Sequence, residues 1–422
     1  MPDKFIINGN RPLEGEIRVG GYKNAAGPIL IASLLTEQDC VFDNLPLIND
    51  ILNIIEVLKS LGTEVEWLGK RKIKIKKNNS IKTENMDFEK AGKTRMSVLF
   101  IGALISRLSQ FKIVRPGGDR IGLRPIVTHL EALEKMGVKI EQEGDFYYFQ
   151  REKLKGQDIV LQEFSVTATE NIILASVLLK GETTIVRGAA AEPQIQDLIT
   201  MLNLMGADIE KEGDHIIKIK GVEKLSGVEY RIMPDPSETG TFIVMAALTP
   251  GQVKIQEAIP DNLTLFLAKA EKIGVNFEIK NQTITVDYSP NLKATKVQAL
   301  PYPGFPTDLL PIIVPLLVKA EGRSLIHDPL YENRLRYVDE LRKMGADIEI
   351  VDPHRAFVFG PVDLQGRTVE SGDVRAGASL VIAGLMADGQ TIIEHIDQID
   401  RGYEKIEERL QLLGADIKRI KG

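Results

Sequence analysis

The chain repeats itself. Six glycines, Gly62, Gly137, Gly206, Gly274, Gly345 and Gly414, each follow a helix-like stretch and precede a short apolar–polar alternation, at a period of about 70 residues. Three of them open the same tetrapeptide, Gly-Ala-Asp-Ile, at 206–209, 345–348 and 414–417. A single repeat of this kind cannot bury its apolar face alone, so its copies must pack on one another. Six copies in 422 residues predict two domains of three units each, since a single core rarely serves so long a chain.

The last unit shows the plan. Residues 380–386 are apolar on every face, which predicts an enclosed helix. Asp388-Gly389 stops it, and residues 391–396 alternate as a strand. Residues 403–413 carry Ile406, Leu410 and Leu413 at helical spacing, and Gly414 stands where a left-handed residue ends a helix. Residues 416–420 resume the alternation. Similar enclosed helices are predicted over 25–35, 96–104, 172–179, 242–248 and 309–318. The unit therefore reads β-α-β-α-β-β, and the fold class is α/β. The three enclosed helices of each half should pack together, with sheets outside. Residues 20–229 are expected to form one domain. Residues 1–19, which hold strands at 5–7 and 15–19, are expected to join 230–422 in the other, with a crossing at 228–236.

Several classes of function are disfavoured. The net charge of −6 lacks the basic surplus usual in nucleic-acid binders. A lone cysteine, Cys40, excludes an intramolecular disulfide and reads as a buried structural thiol. No apolar run approaches the roughly 20 residues of a membrane span, and the start of the chain is too polar for a signal peptide, so a reducing cytoplasm is expected. The five histidines are dispersed, with no two at metal-ligand spacing, and are expected to be structural. No phosphate loop, dinucleotide fingerprint or nucleophile elbow is present. The basic run 70–77 reads as a solvated hairpin, and Trp67 as a packing residue.

The informative polar residues stand just before the enclosed helices: Lys23-Asn24, Lys93-Thr94-Arg95, Ser165 with Thr167 and Thr169, Ser237-Glu238-Thr239, Thr307-Asp308, and Asp373 with Arg375. Ser, Thr and Asp there are ordinary caps. Lys23, Arg95 and Arg375 are not, because a cation at a helix start opposes the dipole. A bound anion would remove that conflict. Residues 115–125 hold three glycines, three arginines and one acid, as a turn or as a mobile lid. Residues 400–403 place Arg401 at a further predicted helix start.

Together these residues resemble the enolpyruvyl transferases, and most closely their UDP-N-acetylglucosamine 1-carboxyvinyltransferase branch. The likeness spans almost the whole chain. It rests on Gly21-Tyr22-Lys23-Asn24-Ala25-Ala26, on Pro116-Gly117-Gly118 with Ile121-Gly122 and Arg124-Pro125, and on Glu238-Thr239-Gly240-Thr241-Phe242. It continues in Phe305-Pro306-Thr307-Asp308, Glu332-Asn333-Arg334, Asp373-Val374-Arg375-Ala376 and Ile399-Asp400-Arg401-Gly402-Tyr403-Glu404. The resemblance implies two inside-out α/β domains, each of three βαβαββ units, with the active site in the cleft between them. It implies transfer of the enolpyruvyl group of phosphoenolpyruvate to the 3-hydroxyl of UDP-N-acetylglucosamine, the first committed step of peptidoglycan precursor synthesis, with no metal or other cofactor.

By position, the resemblance assigns Lys23, Arg124 and Arg401 to phosphoenolpyruvate. It assigns Asn24, Arg95, Pro125, Ile126, Ser165, Val166, Asp308 and Leu330 to the nucleotide sugar, and Arg334, Asp373 and Arg375 to the phosphate end. Asp308 would orient or deprotonate the 3-hydroxyl. Asp119 stands where most members carry a cysteine and would be the general acid, which implies insensitivity to fosfomycin, an epoxide that alkylates that thiol. Glu163, Thr167 and Val127 depart from the usual nucleotide contacts. Two alternatives stay open: the shikimate-phosphate enzyme of the same fold, disfavoured by Gly-Tyr-Lys-Asn in the first motif, and a silent nucleotide-sugar binder, disfavoured by the retained acid, base and cations.

Overall fold

A computed structural model describes residues 3–77, 80–118, 121–213 and 215–422. Two compact units emerge from its internal contacts. Of the described residues, the amino unit comprises those within 21–118 and 124–233, and the carboxyl unit those within 3–20, 121–123 and 234–422.

Each unit carries three sheets among the described residues, and five of the six sheets have four strands in the same pattern. The sheet built from Asp158–Val160, Thr183–Arg187, Asp208–Lys211 and Ile216–Lys220 is representative. Its first strand runs parallel to the second, and the last two form an antiparallel hairpin, with Ile216–Lys220 against the second strand. Between them in sequence lie the helices Val166–Ser176 and Pro193–Leu204, so the element order in this stretch is βαβαββ. The second repeat differs. Gln110–Val114, Phe146–Arg151 and Val138–Glu143 form a three-stranded antiparallel sheet with no parallel edge among the described residues.

The edges show how the chain crosses. Gly15–Arg18 is the parallel edge beside Gln252–Gln256 in the carboxyl unit, and Glu229–Arg231 is the parallel edge beside Cys40–Asp43 in the amino unit. Lys4–Asn8 fills the slot between Gln390–Glu394 and Asp416–Ile420. Because Glu229–Arg231 pairs with Cys40–Asp43, the amino unit runs through Met233.

The six repeat glycines all adopt left-handed φ, between 91° and 106°, at the ends of the wet-faced helices. This is the conformation that only a residue without a Cβ takes cheaply. The enclosed helices are Lys23–Ala32, Phe100–Arg107 and Val166–Ser176 in the amino unit and Pro236–Leu248, Leu310–Lys319 and Val374–Met386 in the carboxyl unit. The last three pack against one another, and all thirteen residues of Val374–Met386 are buried. At about 1.5–3 kcal/mol for each large apolar side chain fully buried, this packing dominates the stability of the unit.

Some local expectations shift. The third enclosed helix starts at Val166, before its apolar run, because Ser165 caps it. The last helix covers Ile406–Leu412 and does not reach back to Tyr403, because Lys405 has φ of 44° and interrupts the chain. Tyr403 is instead buried, its hydroxyl 2.8 Å from Thr241 Oγ1. Trp67 is not a packing residue: it lies on the edge strand Val65–Gly69 and is 43% exposed. The basic run forms that edge strand's hairpin partner, with Lys72, Lys74 and Lys76 paired to Glu229, Asp39 and Glu64. Cys40 is buried, and burial pushes its thiol up to about 11.

Candidate active site

In the carboxyl unit the site is built around Asp308. The turn Thr307–Leu309 presents it just before the helix Leu310–Lys319. Its Oδ1 accepts from Arg334 Nη2 at 2.7 Å and its Oδ2 from Arg375 Nε at 3.2 Å. Both guanidiniums are buried, at 1% and 2% exposure, whereas the Asp308 side chain is 31% exposed. One acid thus fastens two cations from two other segments and keeps an open side. Arg334 also donates to the Thr307 carbonyl at 3.1 Å. Burial works to lower the pKa of Arg334, but the carboxylates of Asp308, Asp373 and Asp328 overcome it and raise it.

Two more acids frame this group. Asp373 caps the helix Val374–Met386, its Oδ1 accepting from the amides of Arg375 at 2.9 Å and Ala376 at 3.0 Å. Asp235 caps the helix Pro236–Leu248 through the amide of Ser237 at 2.7 Å. Burial pushes the Asp235 carboxyl up to about 6, against the pull of Arg375. The Arg375 guanidinium lies over the Tyr403 ring, 5.1 Å from its centroid, a favourable cation–π distance. Arg401 ends the turn Ile399–Arg401 and donates to Gln398 Oε1 at 3.1 Å. Leu330 is held by its amide on Asp328 Oδ1 at 2.9 Å. Of the loop 115–125, the described tip residues belong to this unit: the Leu123 amide donates to Glu332 Oε1 at 3.0 Å and the Asn333 amide to the Ile121 carbonyl at 3.1 Å. Asp119 and Arg120 lie outside the described residues.

In the amino unit Lys23 opens its helix, 9% exposed, and its Nζ bonds Asp50 Oδ2 at 3.2 Å. Asp50 sits in the first turn of Asn49–Ser60 and is buried. At Lys23 and at Arg375, the helix-start cation therefore has a protein carboxylate as counter-charge. Asn24 Nδ2 donates to the Tyr22 hydroxyl at 3.1 Å. Arg95 opens a short 3-10 turn, Arg95–Leu99, capped by Thr94, and its Nη2 donates to the Pro125 carbonyl at 3.1 Å. Gly118 separates Arg95 from Arg124. A Cβ there would lie 2.9 Å from Arg95 Cβ and 3.5 Å from Arg124 Nη1, and φ is 119°. Only glycine lets the two arginines come so near. Arg124 itself has φ of 46°, a left-handed conformation that costs a non-glycine residue about 1–2 kcal/mol.

Ile126 precedes the helix Val127–Lys135, and its carbonyl accepts from the His129 amide at 3.0 Å. His129 is 1% exposed. Its ring meets Asn171 Nδ2 at 2.8 Å through Nδ1 and Thr167 Oγ1 at 3.1 Å through Nε2. Burial, helped by the nearby Arg95 charge, lowers its pKa to about 3. Ser165 Oγ accepts from the Ala168 amide at 3.4 Å, and Val166 begins the helix. Thr167, the charge of Arg95 and the Ile126 carbonyl thus all bear on one buried histidine.

The amino unit therefore brings together Arg95 with Arg124, and Arg95 with the start of the third enclosed helix. The carboxyl unit brings together Asp308, Arg334 and Arg375, with Asp373 beside them. Sequence reasoning missed Asp50, Asp235, Asn171 and the part played by His129. Asp50 left a faint signal, an acid on a helix face whose other residues Ile54, Val57 and Leu58 are apolar and buried. Among the described residues no group of three or more His, Cys, Asp or Glu side chains could hold a metal ion, and no helix is long and apolar enough to cross a membrane.

A family model described as EPSP synthase (3-phosphoshikimate 1-carboxyvinyltransferase) matches residues 7–410. A UDP-N-acetylglucosamine 1-carboxyvinyltransferase 1 of Carboxydothermus hydrogenoformans is 43% identical over 420 residues, covering 100% of this chain and 99% of the relative. The UDP-N-acetylglucosamine 1-carboxyvinyltransferase of Borrelia garinii is 40% identical over 99% of each chain. The solved enolpyruvyl transferase NikO from Streptomyces tendae superposes with a TM-score of 0.91 at 22% identity, covering 100% of this chain and 99% of that one. An EPSP synthase from Acinetobacter baumannii superposes with a TM-score of 0.74 at 21% identity over the full length of both. At those identities the two structures speak to the fold alone.

Proposed function

We propose that this chain, which belongs to the EPSP synthase family and within it to the UDP-N-acetylglucosamine 1-carboxyvinyltransferases, moves the enolpyruvyl group of phosphoenolpyruvate onto the 3-hydroxyl of UDP-N-acetylglucosamine and releases phosphate. In that reaction the 3-hydroxyl oxygen bonds to C2 of phosphoenolpyruvate while its methylene carbon takes a proton and becomes a methyl group. The tetrahedral ketal then gives up a methyl proton and expels phosphate, restoring the double bond. The step needs an acceptor for the hydroxyl proton, a donor to carbon, and cations around the phosphate.

One observation carries the reading beyond the relatives' names. Asp308 is clamped through both oxygens by two buried guanidiniums and keeps an open face. A carboxylate has lone pairs to spare after two such bonds, and a clamped one pays little to orient a hydroxyl. Asp308 is thus suited to receive the 3-hydroxyl. Arg334 and Arg375 hold it and supply positive charge for the phosphate, while Asp373 fixes the start of the helix that carries Arg375. Lys23, Arg124 and Arg401 take phosphoenolpyruvate. Asn24, Arg95, Pro125, Ile126, Ser165, Val166 and Leu330 take the nucleotide sugar. Asp119, outside the described residues, is the proton donor to carbon. On this reading the chain works in the cytoplasm, in peptidoglycan precursor synthesis.

The test is phosphate release from phosphoenolpyruvate with either of two acceptors. UDP-N-acetylglucosamine should support turnover and shikimate-3-phosphate should not. Turnover with shikimate-3-phosphate alone would move the chain to the other branch of its family. Binding of UDP-N-acetylglucosamine without phosphate release would make it a silent binder.

A further inference from the structure

We propose that Asp328 is a positioning residue for the proposed proton acceptor: one fully buried carboxylate holds the turn that carries Asp308 and the loop that carries Leu330 as a single body. The inference rests on the function proposed above and adds to it a residue that acts only through others.

The turn needs such a hold. Thr307–Leu309 starts from Pro306, which supplies no side-chain cap. The aim of Asp308 therefore depends on contacts made elsewhere. Two groups provide them. The Thr307 hydroxyl donates to Asp328 Oδ2 at 2.5 Å, across 21 residues of sequence. The Thr307 carbonyl accepts from Arg334 Nη2 at 3.1 Å, and the same nitrogen reaches Asp308 Oδ1 at 2.7 Å. The residue before Asp308 is thus gripped at its side chain by an anion and at its carbonyl by a cation. Hydrogen bonds to charged groups are the stronger kind.

Asp328 is itself fixed. It follows the strand Gly322–His327 and is 0% exposed, so water does not compete for its oxygens. Its amide donates to the His354 carbonyl at 2.8 Å, and its own carbonyl meets His354 Nδ1 at 2.7 Å. A carbonyl can only accept, so the His354 ring carries a proton on Nδ1. With the backbone held from both sides, the carboxylate divides its oxygens. Oδ2 takes Thr307, and Oδ1 takes the Leu330 amide at 2.9 Å. Its charge also reaches Arg334, where it adds to those of Asp308 and Asp373. A sugar hydroxyl bound beside Leu330 would then meet Asp308 at a separation set by one rigid joint. A misplacement of about 1 Å can cost roughly 10²-fold in rate.

The test uses the full chain, with phosphate release and thermal unfolding measured on the same samples. Thr307→Val keeps the shape, removes the hydroxyl and spares the Leu330 bond. Its kcat should fall about 10–100-fold, the value of one hydrogen bond to a charged group. The KM for UDP-N-acetylglucosamine should stay as it is, and Thr307→Ser should restore kcat. Asp328→Ala loses both bonds, so it should lower kcat and also raise that KM. Adding Thr307→Val to Asp328→Ala should lower kcat no further, because the two act through one bond. A merely structural Asp328 would lower the unfolding temperature and leave kcat of the folded enzyme unchanged. That result, additive losses, or no rescue by Thr307→Ser would overturn the inference while leaving the proposed function standing. If Asp328→Ala does not fold, the two Thr307 variants decide alone. A wild-type chain that releases no phosphate with UDP-N-acetylglucosamine would overturn the function and the inference together.

Discussion

The two units hold their candidate site residues differently: the carboxyl unit by a charged cluster, the amino unit by one ion pair, Lys23 with Asp50, and one neutral relay. In the carboxyl unit the device is charged: Asp308 ties Arg334 to Arg375, with Asp235 and Asp373 close by. In the amino unit the core of the device is neutral: Asn171, His129 and Thr167 pass hydrogen bonds from fixed backbone groups to the surface. Charges are costly to bury, and worth it where charge itself develops during reaction. A neutral relay costs less and fixes only direction. The charged cluster holds Asp308, proposed to receive the 3-hydroxyl, and the neutral relay lies beside Ser165 and Val166, proposed to meet the nucleotide sugar.

The sharpest way to break this contrast is at Asp308. Asp308→Asn keeps the shape and the acceptor to one arginine but removes the charge. Turnover should fall about 10²–10⁴-fold, the usual cost of losing a proton acceptor in the step. UDP affinity should be unchanged, because the neutral relay is untouched. Loss of UDP binding with turnover retained would reverse the division. Asp119→Ala should cost turnover in the same range while keeping the fold by circular dichroism.

Next in size is pH dependence, where the two devices should move in opposite directions. Asp235 is raised by burial from 3.8 to about 6 in the folded chain. The folded state therefore holds its proton more tightly, so the stability it contributes is present below about pH 4 and is lost as pH rises to about 6. The loss amounts to roughly 3 kcal/mol. His129 is lowered by burial from 6.5 to about 3. The unfolded state then binds the proton first, and stability is lost as pH falls below 6.5, by roughly 1.4 kcal/mol per pH unit. Urea unfolding at a series of pH values should show Asp235→Asn removing the first slope and His129→Gln removing the second. Parallel slopes in wild type and both variants would contradict the burial argument.

A smaller effect is expected at Arg334. Arg334→Met removes one of two cations from Asp308, and the half-open carboxylate can recruit water in its place. Unfolding free energy should drop by about 2 kcal/mol, within the range for a hydrogen bond to a charged group. The least effect of all is expected from fosfomycin: with aspartate at 119, no time-dependent covalent inactivation should occur. Labelling of the loop by mass spectrometry would contradict that.

The alternation of enclosed helices, wet-faced helices and strands was legible because it is local. A left-handed glycine after each wet helix, as at Gly206 and Gly414, and an all-apolar run in each enclosed helix are written in neighbouring residues. The edge strands Gly15–Arg18 and Glu229–Arg231 were harder, because each pairs with a strand far away in sequence. Lys23, Arg95, Asp308 and Arg375 could be picked out as polar residues at helix starts. Their partners could not. Asp50 lies 27 residues from Lys23, and Asn171 lies 42 from His129. Nothing local marks such a pair. Trp67 misled because aromatic bulk predicts burial only where the sheet position is internal, and its strand is an edge.

The most direct test of the account is the origin of the product's vinyl hydrogens. With phosphoenolpyruvate and UDP-N-acetylglucosamine in deuterium oxide, a methyl group formed by proton donation and then deprotonated must carry solvent deuterium into the enolpyruvyl product. The account predicts a nucleotide-sugar ether deuterated at its vinyl carbon, detected by mass spectrometry and NMR, with its rate of formation about 10²–10⁴-fold lower in Asp308→Asn. An ether formed without deuterium, or no ether at all, would contradict it.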